Sequence, residues 1–404
     1  MTVEIAFFSD SYLPIRDGVA MEVHALARAL RRHGHGVTVF SPDPVVGARP
    51  HDEEIDGVQV VRCRSLPVPQ YDQYRWALFP FGMVAGRSFG SRMDVVHVHT
   101  PGLVGTTGFF AARRWHRPLI GTFHTDVYAA RESFGARRLV QLFFWGARFY
   151  SLGLYYRCDV ATAPSGPARN SLLIHARKPF RRSVEVVPNG IETDRFRPGI
   201  AVPDWRMRCG FDSEPLLTYL GRLTVDKGVH RFLDALEALP AEARFNAAIA
   251  GVGPEEGAVR RWIATRPRLK DRVRYLGPIT ESEKPALLAQ SDVYVLPSIS
   301  DTSSIAVLEA MASGVPCVVS NVGGPSAIVE DGRTGRVVPV DSPGPLAQAL
   351  EELLAEPGNR RRLGRTARAW AQAEASIDVT ARRFISLYEL LLTERRGSSA
   401  AGQA

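Results

Sequence analysis

Short apolar runs alternate with longer amphipathic stretches, and this alternation occurs twice along the chain. The first run, Ile5–Phe8, ends at Ser9-Asp10-Ser11 and predicts a buried strand. Glu22–His33 carries Val23, Leu26, Ala27 and Leu30 at helical spacing, and Gly34 and Gly36 close it. Val37–Phe40, Val95–His99, Leu119–Phe123 and Val160–Ala163 predict further strands of the first half. Their near-continuous apolar character fits a parallel sheet covered on both faces. Pro188–Asp212 is rich in Pro, Gly and Asp and has the character of a linker. The alternation then restarts. Leu216–Leu220, Asn246–Ala250, Val273–Leu276, Val293–Leu296, Pro316–Ser320 and Gly335–Val338 read as strands, and Val229–Leu239 as a helix. Two such arrays predict two doubly wound α/β domains with a cleft between them. A last amphipathic helix spans roughly Asp378–Arg395, with Phe384, Leu387, Tyr388 and Leu391 on one stripe, and Gly397–Ala404 reads as a frayed tail.

Composition narrows the class. At 404 residues the chain is too long for one ordinary domain and comfortable for two. With 45% hydrophobic and 23% charged residues it is neither disordered nor fibrous. No stretch reaches the roughly 18–20 apolar residues of a membrane-spanning helix, and the start has no basic leader followed by a long apolar run, so a cytoplasmic location is expected. Cys63, Cys158, Cys209 and Cys317 are scattered, which points to neither a zinc site nor a disulfide framework. Charge is uneven. Residues 1–189 hold 23 Lys/Arg against 15 Asp/Glu, whereas 190–404 hold 27 of each. A basic first half suits an anionic acceptor or an anionic membrane surface; the alternative is a solvated, Arg-rich exterior. The arginines are dispersed and no nucleic-acid-binding motif accompanies them, so no nucleic-acid partner is expected.

Candidate chemistry lies where predicted strands end. Gly221-Arg222-Leu223-Thr224-Val225-Asp226-Lys227-Gly228 follows a strand and precedes a helix. An Arg that forks two oxygens, a Lys and a helix N-terminus make a diphosphate site; the alternative is a turn with surface charges. In the stretch from Pro297 to Pro316, Asp301 lies on a loop, Ser303, Ser304 and Ile305 open a helix, and Glu309 interrupts its apolar run. A carboxylate there either faces solvent or accepts hydrogen bonds from a vicinal diol such as a sugar's. His124, in Gly121-Thr122-Phe123-His124-Thr125-Asp126, sits at a strand's carboxyl end, as a hydroxyl ligand, an acid/base or a structural histidine. His97 and His99 read as structural, one facing the core and one near the strand end. Gly18, in the loop Asp10–Ala20, lets backbone approach a ligand, and Gly251 lies in a glycine loop after a strand. Neither loop is a dinucleotide fingerprint, and no motif demands a metal.

In combination these motifs resemble glycosyltransferase family 4, the retaining transferases of GT-B fold. Gly221-Arg222-Leu223 with Lys227-Gly228, Val187-Pro188-Asn189-Gly190-Ile191-Glu192, Leu308-Glu309-Ala310-Met311-Ala312-Ser313-Gly314-Val315-Pro316, and Gly323-Gly324 with Glu330-Asp331-Gly332-Thr334-Gly335 carry the resemblance in order along nearly the whole chain. It implies two Rossmann-like domains facing across a cleft: 1–189 on the acceptor side, 190–375 for the donor nucleotide, and 376–395 as a helix returning to the first domain. It also implies transfer of a hexose from a nucleotide sugar to a hydroxyl acceptor. GDP-mannose is favoured over a UDP-hexose, and no cofactor or metal is required.

By the same resemblance Arg222 and Lys227 hold the donor diphosphate, and Glu309 the ribose. Asp301 touches the hexose, and His124 binds or positions it. Gly18, Gly221, Gly251, Ser303, Ser304 and Ile305 approach the donor. Asp301 and Ser303-Ser304 depart from the family's usual Glu and Phe-Gly, which bears on hexose identity. The acceptor is expected to be lipid-linked, with peripheral contact at the inner membrane face through the aromatic stretch Leu139–Tyr156; the alternative for that stretch is a buried helix. A small soluble acceptor, a nucleotide-sugar isomerase and a non-catalytic sugar-nucleotide sensor are the alternative readings.

Overall fold

The computed structural model describes residues 2–68, 71–78, 80–84, 89–124, 138–174, 176, 179–200, 202 and 204–401. Thr125 and Asp126, and the side chains of Phe143 and Phe144, lie outside the described residues. The chain divides into two compact units, 1–190 with 377–404, and 191–376.

In the first unit, eight strands form one sheet. They are β1 (Glu4–Phe8), β2 (Gly36–Pro42), β3 (His51–Ile55), β4 (Val58–Cys63), β7 (Val95–Val98), β8 (Leu119–Thr122), β9 (Val160–Ala163) and β10 (Glu185–Val186), in the order β10-β9-β8-β7-β1-β2-β4-β3. A separate hairpin pairs β5 (Ser65–Val68) with β6 (Tyr71–Ala77). Alternation along β1 sends Ile5 and Phe7 into one apolar cluster and Ala6 and Phe8 into another, so both sheet faces are covered. The helix Gly18–Arg32 packs Val23, Leu26 and Leu30 on the Ile5 face, and the helix Ile377–Ala401 adds Phe384, Tyr388 and Leu391 to the same cluster.

The second unit is a six-stranded sheet in which every pairing is parallel. Its strands are β11 (Leu216–Leu220), β12 (Asn246–Ala250), β13 (Val273–Gly277), β14 (Val293–Leu296), β15 (Cys317–Ser320) and β16 (Gly335–Val338), ordered β13-β12-β11-β14-β15-β16. Successive strands build outward from β11 to one side, then from β14 to the other. The switch point therefore lies between β11 and β14, where loops diverge and ligands of such sheets bind.

Several expectations need correction. The first helix begins at Gly18, not Glu22, because Asp17 caps it by accepting from the Ala20 amide at 2.8 Å. Gly18 is thus the first helical residue rather than part of an open loop. The first sheet is not wholly parallel: β3 runs antiparallel to β4. The segment 188–212 is no free linker, since Ile191, Phe196 and Phe211 are buried in the second unit's core. Helix Ile377–Ala401 continues through Gly397, where a frayed tail was expected.

One buried charge deserves a test. Glu22, on the first helix, is 3% exposed and accepts from the Gly190 amide at 3.0 and 3.1 Å. Burial pushes its carboxyl up to about 8. The folded state is then the better proton binder between the ordinary value of 4.5 and about 8. Stability falls as pH rises through that window. Glu22→Gln removes this titration. Its Tm gain over the wild type should be small below pH 4.5, grow toward pH 8 and then level off. Thermal melts across this range check the effect, and a pH-independent difference contradicts it.

Candidate active site

The loop after β11 is held from beneath by tyrosines of the sheet. The Tyr219 hydroxyl donates to the carbonyl of Arg222 at 2.9 Å, and the Tyr294 hydroxyl to that of Leu220 at 2.8 Å. Burial raises both phenols far above their ordinary value, so both remain donors. Gly221 donates to the Ala250 carbonyl at 3.1 Å. Gly251 donates to Gly277 at 2.8 Å, and its own carbonyl accepts from the Tyr275 hydroxyl at 2.8 Å. The glycine loops after β11 and β12 are thereby fixed side by side.

The same loop is locked to the one after β14. Gly228 has φ of +72°, and a Cβ there would run into the Pro297 carbonyl. Ile299 donates to Asp226 at 2.8 Å. On the other side Gly324 donates to the Asp301 carbonyl at 2.6 Å, with no room for a Cβ against Thr302. These closures bring the Lys227 ammonium within 2.7 Å of the Asp301 carboxylate. Two residues 74 apart in sequence thus become an ion pair, both largely buried. Arg222 is 60% exposed and lies 3.7 Å from Asp226, so its guanidinium remains open to an anion.

Ser304 caps the helix Ile305–Ala312, accepting from the Val307 amide at 3.4 Å. Ser303 and Thr224 each hold a buried hydroxyl without a hydrogen-bond partner among the described residues. Glu309, one turn into the helix, is 4% exposed, and its Oε2 is likewise unpartnered. Its Oε1 lies 3.5 Å from the Lys284 ammonium. Lys284 also pairs with Glu281 at 2.6 Å, and Glu281 with Arg195 at 3.1 Å. Burial raises the Glu309 carboxyl, and the Lys284 ammonium pulls it back down. Burial would lower Lys284, but Glu309 and Glu281 outweigh it and the ammonium is held above its ordinary value. Lys284, Glu281 and Arg195 escaped the sequence reading. Each stands in an ordinary polar segment, and only the fold gathers them behind Glu309.

His124 and Gly18 belong to the first unit. His124 is 9% exposed and stacks on His99 with ring centroids 5.4 Å apart, its Nε2 3.2 Å from His99 Nδ1. His97 bridges Tyr388 at 2.8 Å and Thr122 at 2.7 Å. Burial lowers all three imidazoles, His124 to about 4, so they are neutral at physiological pH. His97 packs in the core and His99 directly follows the end of β7, as expected, and both are buried. Asp10 accepts from the amides of Val104 at 2.9 Å and Gly105 at 3.4 Å and so anchors the helix Leu103–Arg114. Among the described residues no group of three or more His, Cys, Asp or Glu could hold a metal ion.

Two doubly wound units with charged loops at a switch point define a class, and solved structures identify it as GT-B. Sucrose-phosphate synthase from Thermosynechococcus elongatus superposes with a TM-score of 0.74 at 21% identity, covering 97% of this chain and 100% of that one. Anabaena HepE with UDP-glucose gives 0.72 at 18% identity, covering 98% and 99%. The model of Glycosyltransferase Family 4 matches residues 16–195, and that of Glycosyl transferases group 1 matches 204–370. A GDP-mannose-dependent alpha-mannosyltransferase of Mycolicibacterium smegmatis is 31% identical over 97% of this chain and 99% of its own. One of the same name from Mycobacterium tuberculosis is 30% identical over 84% of each chain. The chain belongs to glycosyltransferase family 4, and it is a glycosyltransferase that uses a nucleotide sugar.

Lys284→Met removes the cation paired with Glu309 and Glu281. The variant should melt below the wild type near neutral pH, because both carboxyls lose their nearest cation. The gap should narrow as pH falls, beginning with Glu309, whose carboxyl burial raises. Burial would raise Glu281 too, but Lys284 and Arg195 hold it below its ordinary value, so it keeps its charge longer. A gap that stays constant as pH falls would show that the lysine's packing, not its charge, matters.

Proposed function

We propose that the protein transfers mannose from GDP-mannose to a hydroxyl acceptor with retention of configuration, and that the acceptor is lipid-linked. The Lys227–Asp301 pair carries this reading, because it sets a phosphate-seeking ammonium beside a hydroxyl-accepting carboxylate at the switch point. The preference for mannose rests on mannosyltransferase relatives such as these. The lipid preference rests on the basic first half of the chain.

In this reading Arg222 and Lys227 bind the donor diphosphate and stabilise the charge that develops on the leaving nucleotide. They supply the neutralisation that a divalent metal gives in other transferases. Gly221 and Gly251 allow the donor close to the backbone. The amides opening at Ser303, Ser304 and Ile305 face its anionic part. Glu309 accepts both ribose hydroxyls, one through the oxygen that has no partner among the described residues. Asp301 accepts from hexose hydroxyls, and its short side chain sets their depth. His124, neutral under working conditions, hydrogen-bonds the hexose and positions it rather than acting as a cationic acid. Gly18, at the start of its helix, lets backbone approach the ligand closely.

A thermal-shift panel of GDP, UDP, ADP and their hexose conjugates tests the donor. Selective stabilisation by GDP and GDP-mannose is expected. A selective UDP shift would overturn the mannose assignment and leave the site in place. Lys227→Ala should lower kcat/KM by about 10²–10³-fold, roughly 2.7–4 kcal/mol of transition-state stabilisation. Wild-type turnover in that variant would remove the diphosphate role.

A further inference from the structure

Five aromatic side chains among the described residues are strongly exposed: Trp76, Phe81, Phe110, Trp145 and Tyr150, each between 47% and 55%. All five lie in the first unit, on β6, the turn Pro80–Met83 and the helices Leu103–Arg114 and Arg138–Tyr155. Singly exposed apolar residues need no explanation, but four of these sit on elements that pack together, and the fifth, Trp145, meets Phe149 edge to face on the helix that carries Tyr150. The Phe81 and Phe110 rings meet edge to face at 5.7 Å. The turn and β6 both pack against the 103–114 helix. Thr106 of that helix hydrogen-bonds the Tyr150 hydroxyl, which ties in the 138–155 helix. Leu103, Thr106 and Phe110 recur at helical spacing, so the exposed row is one face of a helix.

Charge indicates what covers this face. In sequence, these four elements hold Arg75, Arg113, Arg114, Arg138 and Arg148 against a single acidic residue, Asp72. Arg113 lies over the Phe109 ring at 4.8 Å, beside Phe110. A protein partner with an acidic rim would answer the arginines. Tryptophan, tyrosine and phenylalanine interleaved with arginine, however, match the depth profile of a bilayer interface, where rings enter the headgroup boundary and guanidinium groups meet phosphate.

We propose that this face, built from β6, the 80–83 turn and the 103–114 and 138–155 helices, docks the enzyme on an anionic lipid bilayer. The surface deepens the lipid-acceptor reading. Its existence does not depend on the sugar transferred, because vesicle binding and donor binding are measured separately.

Flotation with phosphatidylcholine vesicles, with and without phosphatidylglycerol, tests it. The protein should float with the anionic vesicles, stay behind with the neutral ones, and be released by high salt. Phe110→Ser with Trp145→Ser should lower the bound fraction at least about tenfold, with unchanged Tm and unchanged GDP binding. Arg114→Glu, on an exposed residue, should weaken binding without touching the aromatic rings. Absence of flotation, or equal flotation of these variants, overturns the proposal. So does a self-associated wild type that the serine variant makes monomeric in sedimentation, since a second copy would then be the occupant. Loss of GDP binding with intact flotation would instead sink the donor reading and leave the docking surface standing.

Discussion

The Lys227–Asp301 ion pair depends on backbone closing on backbone. An ammonium and a carboxylate from different strands meet at 2.7 Å only because the loops that carry them lie almost in contact. Gly228 permits that approach against Pro297, and Gly324 permits it against Thr302. A Cβ at Gly228 would lie 2.0 Å from the Pro297 carbonyl oxygen and one at Gly324 2.2 Å from that of Thr302, so either would force the loops apart. The charge arrangement at the switch point is therefore set by where the chain has no Cβ, as much as by which charges it carries.

Burial governs the rest of the site. Glu309 sits in an apolar helix face, so ionising it is costly unless cations stand behind it. Lys284 does so directly, and Arg195 acts one step back by holding Glu281. Arg195 lies in the segment that opens the second unit, so the Glu309 carboxyl is tied to the segment where the chain enters that unit. A buried carboxyl whose ionisation is opposed by burial, with one oxygen unpartnered among the described residues, is poorly suited to stability and well suited to accepting ligand hydroxyls.

The first unit uses burial differently. His97, His99 and His124 are all neutral, with His99 stacked on His124 and tilted against His97, and Tyr388 of the last helix hydrogen-bonds His97. The C-terminal helix thus supports the histidine layer from within its own unit. Neutral imidazoles at this point favour positioning over proton transfer, and the exposed aromatic face lies on other elements of the unit.

The alternation of apolar runs determined most of the architecture, because parallel strands buried on both faces leave a strong local signal. It determined little between 51 and 77, where β3 is a polar edge strand, His51-Asp52-Glu53-Glu54-Ile55, paired on one side only. The motif residues Arg222, Lys227, Asp301 and Glu309 were legible because loops after strands and a charge inside an apolar helix stand out locally. Their mutual arrangement was not, since Lys227 and Asp301 are 74 positions apart and nothing in either segment specifies the pairing. The chain Arg195–Glu281–Lys284 was invisible for the same reason: each residue looks like solvated surface until the fold removes water from around Glu309. Local sequence specifies elements and candidate charges. Which charges are buried together, and so which are shifted and poised, depends on distances that only the tertiary structure sets.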